Sequence, residues 1–101
     1  MKSLFPEMHL KEKDVTDEIR QYLKIRGVWH YKQWQGLGSM AGVSDIIGIY
    51  KGRYLAIEVK GPKGQVTEKQ QRFIDRVNIE GGLAFVARGV EDVIERLNGK
   101  Q

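Results

Sequence analysis

Two apolar runs, Ile46-Ile47-Gly48-Ile49-Tyr50 and Tyr54-Leu55-Ala56-Ile57-Glu58-Val59, stand either side of Lys51-Gly52-Arg53 and dictate most of what this chain can fold into. Their β-branched and aromatic content predicts strands over residues 44–50 and 53–60, with Lys51-Gly52 as a tight hairpin. A two-residue turn pairs Tyr50 with Arg53 and Ile47 with Ala56. Counted on, it sets Asp45 opposite Glu58. Side chains alternate, so Tyr54, Ala56, Glu58 and Lys60 share one face while Leu55, Ile57 and Val59 share the other. A three-residue or bulged turn would instead carry Asp45 to the opposite face.

The rest of the chain is organised around that hairpin. Val15, Ile19, Tyr22 and Leu23 recur at helical spacing and predict an amphipathic helix over residues 12–26, stopped by Gly27. Residues 1–9 have no periodicity and read as a loose lead-in. Residues 28–34 read as a strand, followed by a glycine-rich loop over 35–42. Thr67-Glu68-Lys69-Gln70 has the form of a capping box opening a helix whose apolar residues are Phe73, Ile74 and Val77, with Gly81-Gly82 at its end. Residues 83–87 predict a short strand and residues 90–97 a last helix. The order helix, three strands, helix, strand, helix makes a single α/β domain over residues 1–101. Its mixed sheet has strand four parallel to strand three across the helical crossover.

Charges inside strands need a reason. Asp45 and Glu58 placed across a ladder would hold like charges about 5 Å apart, which destabilises a sheet unless a cation lies between them. With no Cys and only His9 and His30 in 101 residues, thiolate zinc sites and disulfides are excluded. Neither His has ligand-like spacing to the acids, so any metal must lean on oxygen. Magnesium, which takes a few carboxylate or carbonyl oxygens and keeps the rest for water and phosphate, fits better than zinc. Lys60 then stands beside the metal, placed to orient or deprotonate a water or to neutralise charge building on a phosphate. The plain alternative is a structural salt bridge of Lys60 with either acid.

Gly42-Val43-Ser44-Asp45-Ile46-Ile47-Gly48, then Ala56-Ile57-Glu58-Val59-Lys60-Gly61, then Thr67-Glu68-Lys69-Gln70, resembles the VRR-NUC family within the PD-(D/E)XK nuclease superfamily. The resemblance spans roughly residues 12–90, with the three motifs in the family's order. It implies a restriction-endonuclease-like α-β-β-β-α-β core and a metal-dependent phosphodiesterase acting on DNA. It further implies that Asp45 and Glu58 bind Mg2+, or Mn2+ in its place, with the Val59 carbonyl as a third ligand and Lys60 as the catalytic lysine. The family's first-helix acid falls on Glu12, which projects onto the same helical side as Val15, Ile19 and Leu23; Glu18 falls to the flank. The family's helix glutamine falls on Gln70. Ser44 stands where the superfamily name promises Pro, and Lys32-Gln33 occupies the place of a frequent Arg-Asn pair.

A net charge of +4 agrees with an anionic partner. Lys32, Gln33, Ser44, Lys63 and Lys69 are the candidate DNA contacts. Stand-alone members of the resembling family act on branched DNA as homodimers, and two symmetric sites would suit a four-way junction. No apolar run reaches the length of a membrane span, so the expected compartment is the cytoplasm, a host's if the chain is phage-encoded. The rival reading is a non-catalytic nucleic-acid-binding or replisome-accessory module on the same fold. Against it stands the complete Asp, Glu-x-Lys set, whose acids repel phosphates.

Overall fold

The computed structural model describes residues 11–99, so the expected lead-in over residues 1–9 lies outside the described residues. The elements run α1 (Glu12–Ile25), β1 (His30–Lys32), β2 (Ile46–Tyr50), β3 (Arg53–Val59), α2 (Glu68–Ile79), β4 (Leu83–Ala87) and α3 (Val90–Leu97). The sheet order is β1-β2-β3-β4. The first three strands form an antiparallel meander, and the crossover through α2 returns β4 parallel to β3. This is the expected α/β restriction-endonuclease-like core with one further helix at its end.

Each boundary has a local cause. In the β2–β3 turn Lys51 and Gly52 both take positive φ, 51° and 79°, the mirror-image turn whose twist matches a right-handed hairpin. Tyr50 accordingly pairs with Arg53, Ile47 with Ala56 and Ile46 with Ile57, with no bulge. α1 ends where Gly27 turns left-handed: its N–H donates to the Lys24 carbonyl, and Val28 N–H to the Leu23 carbonyl. α2 opens on a reciprocal capping box, Gln70 N–H to Thr67 Oγ1 at 3.1 Å and Thr67 N–H to Gln70 Oε1 at 3.0 Å. β1 is shorter than the predicted strand. It is an edge with one neighbour, and beyond its ladder only Trp29 and Gln33 still bond to the β2 side.

The sheet separates two apolar layers. Leu55, Ile57 and Val59 pack with Val15, Ile19 and Leu23 of α1 and Val93 and Leu97 of α3. Ile47, Ala56 and Ala84 pack on the other face with Ile74 and Val77 of α2. The exposed edge of β4 is closed by Asn78, whose side chain exchanges two hydrogen bonds with the Ala84 backbone. No helix among the described residues is long and apolar enough to cross a membrane.

Candidate active site

The β2–β3 pairing, extended one step past Ile46 and Ile57, brings Asp45 beside Glu58 at the end of β3 away from the turn. The step is real: the Val59 N–H donates to Asp45 Oδ2 at 2.8 Å, so the Asp45 carboxylate occupies a place in the ladder. On the β1 side, Gln33 N–H bonds to the Asp45 carbonyl at 2.7 Å. On the β4 side, Glu58 lies level with Val86. Gln33, Asp45 and Glu58 therefore form one row across the sheet, at the C-terminal end of the parallel pair, where open α/β sheets take their ligands.

Glu58 is only 2% exposed. Its Oε1 has no hydrogen-bond partner, and its Oε2 lies 3.7 Å from Lys60 Nζ. Burial, then the charge and hydrogen bonding of Asp45, push the Glu58 carboxyl up to about 8 against the pull of Lys60; Glu12 adds to the rise. A buried Glu58 carboxyl with one orphaned oxygen, beside the half-buried Asp45, is a site short of positive charge, and a divalent cation among oxygen donors satisfies both needs. Among the described residues no group of three or more His, Cys, Asp or Glu could hold an ion. An ion here would draw on two carboxylates, a main-chain carbonyl, water and substrate, the habit of Mg2+. The Val59 N–H points toward Asp45, and a strand residue directs its carbonyl to the same edge as its N–H, so the Val59 carbonyl suits a third donor.

Lys60 is 8% exposed and bonds through its N–H to the Ala87 carbonyl at 3.1 Å. Its stem passes Gly64, where an added Cβ would stand 3.2 Å from Lys60 Cδ. The chain after Lys60 is latched by Arg88, whose Nη1 donates to the Gly61 carbonyl at 2.7 Å. Sequence reasoning missed Arg88. It lies 27 residues from Gly61, and only the parallel β3–β4 register brings the two together.

The remaining candidates divide. Gln70 sits half-buried at the start of α2, with its side-chain oxygen committed to the capping box. Glu12 is exposed rather than turned into the core, because it opens α1 at a level where no other element covers it. It still stands near the site, with its Cγ 3.9 Å from where a Cβ on Gly61 would lie. Glu18 is exposed on the flank, as expected. Lys32, Lys63 and Lys69 all face solvent, as phosphate contacts must, while Gln33 is half-buried. Ser44 is a correction: it is fully buried and its hydroxyl is unpartnered, which takes it off any DNA-facing surface. His30 turns its Nδ1 to the Val28 carbonyl, away from the acids.

A family model described as the VRR-NUC domain matches residues 5–91. A solved structure called "VRR_NUC domain protein" superposes with a TM-score of 0.71 at 24% identity, covering 90% of this chain and 88% of that one; at this identity the likeness establishes the fold. No curated protein matches the sequence.

Proposed function

The chain belongs to the VRR-NUC family, a nuclease-type domain, and from that premise we propose that it is a Mg2+- or Mn2+-dependent endonuclease cutting branched, four-way junction DNA as a homodimer. The observation that carries this reading is the Asp45–Glu58 pair, with Glu58 buried and one of its oxygens orphaned, Asp45 half-buried, and Lys60 alongside. A protein that only bound DNA would gain nothing by setting two acids side by side where phosphates must approach.

In this reading Asp45, Glu58 and the Val59 carbonyl would hold the ion. When bound, it supplies Lewis-acid neutralisation of charge building on the scissile phosphate. Asp45, tied to the Val59 N–H, and Glu58, packed in the sheet, are rigid, so their oxygens need no reorganisation when a phosphate arrives. The Lys60 ammonium, held against Glu58, orients the attacking water and offsets negative charge at the phosphorus. Gln70 and Glu12 flank the site, the first offering its amide N–H2 and the second a carboxylate at the mouth. Lys63 and Lys69 follow the phosphate backbone near the reaction centre, with Lys32 and Gln33 further along the edge strand.

The test is cleavage of a labelled four-way junction and its matched linear duplex in magnesium, manganese or EDTA, for the parent beside Lys60→Ala and Asp45→Asn, with mass measured by light scattering. Junction cutting should require metal and fall by about 10²–10⁴-fold in Lys60→Ala, the usual worth of a positioned proton-transfer group, while junction binding survives. Intact binding with no cutting in either metal would sink the enzyme reading in favour of an accessory module.

A further inference from the structure

Between β1 and β2 the chain exposes three large apolar side chains within seven residues. Leu37 is 98% exposed, Met40 68% and Trp34 62%. One such residue is ordinary on a protein surface, but three on one short loop form a patch. The loop is built to hold them out. Ser39 N–H and Ser39 Oγ both donate to the Gly36 carbonyl, at 3.1 and 2.8 Å, closing a turn with Leu37 near its tip and Gly38 at φ +93°. The Trp34 indole lies against Gly36 so closely that any Cβ there would collide with the ring, which parks one indole face outward.

The loop is also tied to the site. Gln33 N–H bonds to the Asp45 carbonyl, and Gln35 Nε2 donates to the Val43 carbonyl at 3.1 Å. Gly42, at φ +88°, packs against the Lys69 backbone at 2.6 Å from Lys69 O to an added Cβ, which pins the loop to the start of α2. Behind it opens a groove of about 440 Å³ lined by Met40, Ala41, Lys69, Arg72, Phe73 and Arg76. Three cations and no acid line that groove. Among the described residues, Arg72 and Arg76 form ion pairs with Glu68 and Glu80 of their own exposed helix face, contacts worth so little that a phosphate can displace them.

Apolar tips beside a cationic groove match DNA, whose phosphates meet the cations and whose bases meet the apolar groups. In continuous duplex the bases are stacked out of reach; at a branch they are the cheapest to unstack. We propose that residues 34–41 form a hook that engages unstacked bases at a DNA branch point, with Trp34 as the stacking face and Leu37 as the wedge, a proposal resting on the DNA-nuclease reading above. The hook would thereby select branched over linear substrate.

The chain has two tryptophans, so Trp29→Phe leaves Trp34 as the sole emitter. This variant would be titrated in EDTA at low salt with a four-way junction carrying 2-aminopurine at the branch, and with the matched linear duplex. Trp34 emission should be quenched by the junction and not by the duplex. Trp34→Ala and Leu37→Ser should each weaken junction binding about tenfold, the scale of losing one stacked base, with duplex binding little changed. Gly36→Ala, which keeps the indole but displaces it, should fall between. Junction affinities equal to the parent's in all three variants would overturn the hook, as would failure of the parent to bind junctions. A Leu37→Ser variant altered in oligomeric mass but not in junction affinity would overturn it too, reassigning the loop to a protein contact. Metal-dependent cutting is read separately: a chain that binds through the hook and never cuts keeps the hook and loses the nuclease.

Discussion

The two ends of β3 are built to opposite standards. At the turn end the long polar side chains are tied to the backbone or to one another. Arg53 donates from Nε to the Gly81 carbonyl at 3.0 Å and from Nη2 to the Gly82 carbonyl at 2.8 Å. The Tyr50 hydroxyl donates to the Leu97 carbonyl at 2.8 Å, and Arg26 donates to the hydroxyls of Tyr22 and Tyr50. At the far end the two buried oxygens without partners among the described residues, Glu58 Oε1 and Ser44 Oγ, stand within the same short stretch of sheet. A hollow of about 330 Å³ opens at the turn end too, lined in part by Arg26, Tyr50 and Arg53. Concavity therefore does not mark the site. What marks it is a buried acid with an unpartnered oxygen beside a second carboxylate, a cost that a cationic ligand can offset; the other buried polar atoms without partners among the described residues, besides Ser44 Oγ, are nitrogens of Arg20, His30 and Arg96.

Three changes sharpen or break that contrast. The largest effect should lie at the site end. In the unfolded chain the Glu58 carboxyl loses its proton near 4.5, whereas the folded protein holds it to about 8. Below 4.5 both states are protonated. Between 4.5 and about 8 the folded state carries the extra proton, so stability falls with rising pH and levels off above that window. The fall should reach a few kcal/mol in metal-free buffer, shrink in Glu58→Gln, and be reversed at pH 8 by Mg2+; chemical-denaturant melts across the pH range measure it. A flat profile in the parent would erase the distinction between the two ends.

A middle-sized effect belongs to the turn end. Arg53→Ala should remove about 1–3 kcal/mol by leaving carbonyls short of donors, with no change in the pH slope and none in junction cutting. Loss of cutting at unchanged stability would mean that the two ends are coupled. The smallest should come from Gly52→Ala, which places a Cβ at φ +79° in open space and should cost about 1 kcal/mol of backbone strain, read as a shift in the denaturation midpoint.

Much of this was legible beforehand because it is local. Helical spacing marked α1 and α3, the Thr67–Gln70 capping box marked the start of α2, and the two-residue Lys51-Gly52 turn set a register that placed Asp45 against Glu58 with no further information. The failures were equally physical. Glu12 projected toward the core side of its helix, but a helical wheel carries no knowledge of where the neighbouring elements stop. Ser44, a candidate DNA contact, lies at zero exposure, because burial depends on what packs over a residue.

The amino-acid order by itself determined the elements, the hairpin register and the juxtaposition of two acids with a lysine, because each depends on residues within reach of one turn or one ladder. Only the tertiary structure decided that Glu58 is buried with an oxygen unpartnered, that Arg88 latches the chain beyond Lys60, and that the Trp34 indole rests on Gly36 in a loop whose Met40 and Ala41 line a cationic groove. Burial is a property of what packs above a residue, and the contacts above Glu58 and around Gly61 come from segments distant in the chain, whose positions no local pattern encodes.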